Sequence, residues 1–250
     1  MGNFLLEMRH ISKRFGSVQA LSNVDLDLGS PEVLGLVGDN AAGKSTLMKI
    51  LSGVYPPDEG KIIVKDQEVK IHSPRDARNL GIWMVFQDLA LIEDLSVTEN
   101  MFLGRELESS VLGIKFRDIR KMRRRTRGIL KSLSVAIGER RKVRLLSGGQ
   151  RAEVAIGRTL IESPRVIIMD EPTAPLGVEA VKRLLLVIKD LKAKGHSIIF
   201  ISHRLEDVFT VSDRIMVLRT GRKVACKKKD EVTREEIVDH MMGVRRNKNN

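Results

Sequence analysis

The chain has 250 residues, 42% hydrophobic and 30% charged, with a net charge of +12 and a single cysteine, Cys226. That length can bury a full core, the lone cysteine excludes an internal disulfide and fits a reducing cytosol, and aromatics at 4% exclude a stacking platform for single-stranded nucleic acid. No apolar run approaches the roughly 20 residues that a bilayer span needs, and the N-terminus lacks a basic-then-apolar secretory pattern.

The first third reads as strand-rich. "FLLEMRH" (4–10) and "VDLDL" (24–28) predict antiparallel strands, and "EVLGLV" (32–37) predicts an apolar strand running into "GDNAAGKST" (38–46). A helix follows in "KSTLMKILSG", closed by Gly53 with Pro56 and Pro57 beyond it. "GIWMVF" (81–86) is a second buried strand. Residues 88–163 are mostly helical in pattern. In their middle lies "FRDIRKMRRRTRGILKSL" (116–133), where Ile119, Met122, Ile129, Leu130 and Leu133 recur at helical spacing among eight Lys and Arg. Its basic side is either a solvated outer face or a surface for phosphates or lipid headgroups. Strand–helix alternation then returns with "VIIMD" (166–170), apolar on both faces, and a helix over 178–195 with apolar residues at 178, 181, 184, 185, 188 and 191. "HSIIFIS" (196–202), a short helix and "DRIMVL" (213–218) complete the pattern, and a polar tail occupies 244–250. The expected fold is an α/β P-loop NTPase core with an antiparallel β subdomain (1–87 and 164–243) and an inserted α-helical subdomain (88–163).

"GDNAAGKST" satisfies G-x-x-x-x-G-K-[ST] through Gly38, Gly43, Lys44 and Ser45, between a strand and a helix as that motif requires. Backbone N–H groups and the following helix would wrap phosphates, Lys44 would reach the terminal phosphates, and the Ser45 hydroxyl would bind Mg²⁺. Asp170, at the carboxyl end of a buried strand, is placed to help hold that Mg²⁺, and Glu171 to accept a proton from water. "LLSGGQ" puts Ser147, Gly148, Gly149 and Gln150 at the start of another helix, a second set of free N–H groups some 20 residues before the "DE" pair.

Together these motifs resemble an ATP-binding-cassette ATPase, the nucleotide-binding subunit that drives a membrane transporter, over roughly residues 4 to 243. "GDNAAGKST" resembles the Walker A loop, "VIIMDE" the Walker B strand and "LSGGQ" the signature motif. The resemblance implies that Gly38, Asp39, Asn40, Ala41, Ala42, Gly43, Lys44, Ser45 and Thr46 cradle ATP and that Phe15 stacks on adenine. It further implies that Gln87 is the Q-loop glutamine near the metal and the attacking water, and His203 the switch histidine. The signature residues would serve a nucleotide held by a second copy, giving a dimer with two shared ATP sites. "SGVYPPDEGKI", "DLSVTENMFLGRE" and "ISHRLEDVF" resemble the ATPases of bacterial monosaccharide importers. That implies transmembrane permease subunits as partners and, through them, a periplasmic or extracellular solute-binding protein. It also implies a peripheral place on the cytoplasmic face of the inner membrane, solubility when isolated, and no nucleic-acid partner.

Two positions depart from the family pattern. Ala41 stands where such loops often carry glycine, and "APLG" (174–177) ends in Gly177 where an aspartate normally signals across the dimer. Two alternatives remain open: a cassette ATPase acting on nucleic acid, which the charge favours, and a regulatory or scaffold subunit without hydrolysis. Only about 100 residues separate Lys44 from Leu146, too few for the long coiled coils or zinc modules of the nucleic-acid group.

Overall fold

The computed structural model describes residues 4–86, 88–111 and 114–244. Its contacts divide the chain into two units: Met1–Met84, Pro164–Glu171 and Leu191–Asn250 form one, and Val85–Ser163 with Pro172–Asp190 form the other.

The first unit is built on two sheets. Strands β1 (Leu6–Phe15), β2 (Val18–Leu28), β4 (Glu59–Val64) and β5 (Gln67–Val69) make an antiparallel sheet in the order β2-β1-β4-β5. β1 and β2 run further than the two short apolar patterns predict. Bulges explain the extra length: His10 and Asn23 adopt positive φ, and the His10 N–H donates to Asp25 Oδ1 at 2.7 Å. The strands therefore continue past the point where strict alternation ends.

The second sheet has the order β12-β11-β3-β10-β9-β6, from β3 (Val33–Val37), β6 (Ile82–Val85), β9 (Val166–Asp170), β10 (Ser197–Ile201), β11 (Arg214–Arg219) and β12 (Arg222–Lys228). β3 pairs parallel with β10 and β11, and β9 parallel with β10. Every residue of β3, β9 and β10 is buried, which is why these segments read as continuous apolar runs without alternation. β12, "RKVACKK", carries too much charge to announce itself as a strand; it pairs antiparallel with β11 at the sheet edge, where lysines discourage pairing with another chain. Helices α1 (Lys44–Leu51), α2 (Pro74–Asn79), α7 (Leu205–Val211) and α8 (Arg234–Met242) belong to the same unit, with Leu47, Met48, Ile50 and Leu51 of α1 buried in its core.

The second unit contains α3 (Val97–Phe102), α4 (Ile119–Ser132), α5 (Gly148–Leu160) and most of α6 (Val178–Ala193). Val97, Met101, Phe102, Met122, Leu130 and Val154 form its core, and burying such side chains contributes about 1.5–3 kcal/mol each. α4 buries Met122 and Leu130 of the predicted apolar face, while Ile119 is 38% exposed. In α6 the predicted positions 181, 184, 185, 188 and 191 are buried, whereas Val178 is 64% exposed at the first turn.

The helical reading of 88–163 needs one correction. A hairpin of β7 (Glu108–Val111) and β8 (Ile114–Arg117) interrupts it, with Ser109 opposite Phe116 and Ser110 opposite Lys115. Phe116 and Arg117 thus sit on a strand, and the basic helix begins only at Ile119, capped by the Asp118 carboxylate accepting from the Lys121 N–H at 2.8 Å. The cap stops the helix from extending backward, and the cross-strand pair Glu108–Lys115 at 3.3 Å helps hold the hairpin.

Candidate functional site

The loop after β3 has the backbone its glycines foreshadow. Gly38 takes φ +149° and Gly43 φ +100°. A Cβ on Gly38 would lie 2.1 Å from the Leu218 carbonyl oxygen, and one on Gly43 would lie 2.7 Å from Leu21 Cδ2. The loop is therefore wedged between β2 and the end of β11, and Gly221 ties it further by donating its N–H to the Ala42 carbonyl at 3.1 Å. Gly43 is also the N-cap of α1 and offers no side chain to the helix's first N–H groups, which leaves donors for an anion.

Ala41 sits at φ +65°, in the left-handed region that costs a non-glycine residue roughly 1–2 kcal/mol. Ala41→Gly should therefore raise the free energy of unfolding by up to about 1 kcal/mol, after allowing for the greater unfolded-state entropy of glycine. We expect the thermal midpoint to rise by about 2–4 °C. An unchanged or lower midpoint would show that position 41 does not hold this conformation in solution.

Lys44, 7% exposed, donates from Nζ to the carbonyls of Gly38 at 2.7 Å and Asp39 at 3.0 Å. Burial pulls its pKa down, and the charges of Glu171, Asp170 and Asp39 work against that. Asp170, also 7% exposed, has its carboxyl pushed up by burial and by neighbouring Glu171. A hydrogen bond with Ser45 and the charges of Lys44 and Lys49 pull it back. Glu171 follows at φ +51°, an unusual backbone state for glutamate, with its N–H on the Ile201 carbonyl at 3.1 Å. Its Oε2 lies 2.6 Å from His203 Nδ1. Lys44, Ser45, Asp170, Glu171 and His203 are thus brought to one place at the carboxyl ends of β3, β9 and β10, where open α/β sheets bind ligands.

Ser45 and Asp170 fit a magnesium ion. They supply hard oxygen donors side by side, and two adjacent carboxylates facing one lysine leave negative charge for a divalent cation to relieve. Among the described residues no group of three His, Cys, Asp or Glu is arranged as a metal site. Mg²⁺, which commonly takes one or two carboxylates plus phosphate oxygens and water, does not need one. Gln87 lies outside the described residues.

The signature residues belong to the second unit. Ser147 Oγ accepts from the Gln150 N–H at 3.3 Å, and Gln150 Oε1 accepts from the Ser147 N–H at 3.1 Å. The serine and glutamine of this motif are thus a capping box at the start of α5. A Cβ on Gly149 would come 2.7 Å from the Cβ of Ala180, so packing of α5 on α6 demands glycine there. Gly177 is different: a Cβ would meet nothing within 4 Å, so the backbone does not require glycine.

Phe15 is 42% exposed at the end of β1, and sequence reasoning missed its neighbour. The single tyrosine, Tyr55, packs edge-on against it at 5.2 Å and 71°, with Lys13 over the Phe15 ring and Lys49 over the Tyr55 ring. The signal was a lone aromatic residue just before Pro56 and Pro57, which a composition poor in aromatics makes conspicuous only in hindsight.

Residues 21–174, spanning the phosphate loop, the signature helix and the Asp170–Glu171 pair, match the family model of the ABC transporter. The chain belongs to that family. It is 44% identical over 239 residues to the ribose import ATP-binding protein RbsA of Caldanaerobacter subterraneus, covering 96% of this chain and 48% of that protein. It is 43% identical to the xylose/arabinose import ATP-binding protein XylG of Sulfolobus acidocaldarius, covering 95% and 93%. The ABC chain thus spans about half the length of the first relative and nearly all of the second. Among solved structures, a dimeric ATP-binding cassette in a post-hydrolysis state bound to ADP and Pi superimposes with a TM-score of 0.74 at 25% identity, covering 90% of this chain and 98% of that one.

Proposed function

We propose that this ABC chain is, over residues 1–243, the ATP-binding and hydrolysing subunit of an importer for a monosaccharide. The observation that carries the reading is the meeting of Lys44, Asp170, Glu171 and His203 beside a loop shaped for phosphate. Lys44 exchanges its two carbonyl partners for phosphate oxygens, and the α1 N-terminus adds backbone donors. Ser45 and Asp170, with Gln87, would hold Mg²⁺, which would neutralise charge on the phosphates. Glu171 accepts the proton of the attacking water. With the carboxylate ionised, the 2.6 Å contact requires the proton on His203 Nδ1, so the imidazole orients Glu171 by donating to it. Phe15, braced by Tyr55, takes the adenine.

A second copy of the chain supplies Ser147, Gly148, Gly149 and Gln150 to complete each site, as the dimeric ADP-bound neighbour supports. The relatives' names support a monosaccharide cargo of the ribose, xylose or fructose type, permease subunits as membrane partners and, through them, a solute-binding protein. No described helix is long and apolar enough to cross a membrane. The import role in the relatives' names supports a peripheral place at the cytoplasmic face, reached through those permeases. Purified protein given Mg-ATP should release phosphate catalytically, at a turnover within the usual enzyme range of about 1–10³ s⁻¹ when its permease is present. ATP binding without phosphate release, alone or with the permease, would overturn the hydrolytic reading in favour of a regulatory subunit.

A further inference from the structure

The second unit contains a cavity that the ATPase reading does not use. Its volume is about 200 Å³, room for roughly seven waters at ~30 Å³ each. Arg117 reaches it from the end of β8, Arg123 from α4, and Arg140 and Lys142 from the turn before the signature helix. Ile119 and the buried Met122 give it an apolar wall, and Ser96 and Thr98 a polar one.

Only one carboxylate, Glu99, lines this cavity, against four cations. That carboxylate is already engaged. Its Oε2 accepts from the Ser96 N–H at 2.9 Å and from Ser96 Oγ at 2.6 Å, closing the capping box of α3. Outside the lining, Glu139 is shared between Arg127 and Arg140 at 4.0 and 3.7 Å, and Asp118 is held by Ser109 and the Lys121 N–H. Among the described residues Arg117, Arg123 and Lys142 make no salt bridge, although the protein elsewhere pairs even exposed cations such as Lys61, Lys115 and Lys182. A concave site with a surplus of three positive charges concentrates small anions, and arginine forks suit the oxygens of phosphate.

We propose that this cavity binds a small phosphate-bearing anion, clamped between Arg117, Arg123, Arg140 and Lys142, with any organic part lying over Ile119 and Met122. Occupancy would tie the hairpin, α4 and the 138–142 turn together, where Glu99 is the one lining carboxylate set against the charges of Arg117 and Arg123. The turn leads directly into "LSGGQ", so the site is placed to affect the signature helix.

The test uses isotope-labelled full-length protein saturated with Mg-ADP and titrated with inorganic phosphate, glycerol 3-phosphate and glycerol at constant ionic strength. The two phosphates should perturb amides at 96–99, 117–123 and 140–142, with dissociation constants on the order of 0.1–1 mM, and glycerol should not. Tighter binding of glycerol 3-phosphate identifies an organic phosphate as the ligand class; equal binding identifies the phosphate group alone. Arg117→Gln with Arg123→Gln should weaken binding at least tenfold, while Arg120→Gln with Arg124→Gln, on the helix that carries Arg123 but outside the cavity, should not. No localised perturbation, an equal response in both double variants, or the same response to chloride would overturn the proposal. ADP-induced shifts at 38–46 report separately on the ATPase reading, so the two stand or fall independently.

Discussion

Glu171→Gln lowers the rate of ATP hydrolysis by about 10²–10⁴-fold, the usual contribution of a general base, while leaving ATP binding intact. The amide keeps the volume of the carboxylate and sits on the same strained backbone at φ +51°, so the loop and β9 are not expected to move. What is lost is the ionised oxygen that takes a proton from water. Because ATP then persists, the dimer that encloses it should persist too, and size-exclusion chromatography with Mg-ATP should show a species of twice the monomer mass. A variant that stays monomeric with unchanged hydrolysis would refute both the base assignment and the shared sites.

Gly38→Ala tests the cradle itself. The new methyl would stand 2.1 Å from the Leu218 carbonyl oxygen, and the backbone would hold alanine at φ +149°. That oxygen is backbone and the next atom met is the Ala42 Cβ at 3.1 Å, neither a flexible side-chain end, so the loop must shift. Strain and overpacking together cost about 2–4 kcal/mol, which corresponds to a fall in ATP affinity on the order of 100-fold if the shift disrupts the phosphate cradle. Gly195→Ala is the control, since φ is +92° but a Cβ there meets nothing within 4 Å. It should lower stability by about 1 kcal/mol and leave nucleotide affinity unchanged. Calorimetric titration with ATP on both variants separates the two effects. Equal affinity in Gly38→Ala would mean that the contact with β11 does not shape the site.

Much of the central sheet was readable because parallel strands buried on both faces leave continuous apolar runs, and β3, β9 and β10 are such runs. The phosphate loop and the "DE" pair were readable for a related reason: each ends one of those strands, so its position follows once the strand is found. β12 and the β7–β8 hairpin were not readable. Both are short and rich in charged or small polar residues, and what makes them strands is a partner, β11 for one and each other for the second. Tyr55 escaped for the same reason, since only the fold carries it to Phe15.

Residue identity and order alone pointed to a lysine and a serine in a glycine-flanked loop and to two carboxylates ending a buried strand, and the family resemblance added a histidine after the next strand. Those features are local, and local spacing preserves them. Tertiary structure decided which groups meet and in what state. It set the 2.6 Å contact of Glu171 with His203 and the burial that raises the Asp170 carboxyl's pKa and lowers that of Lys44. It also gathered the four cations around one cavity from three separate segments. Those properties depend on distance and desolvation, which arise only when segments remote in the chain are packed together.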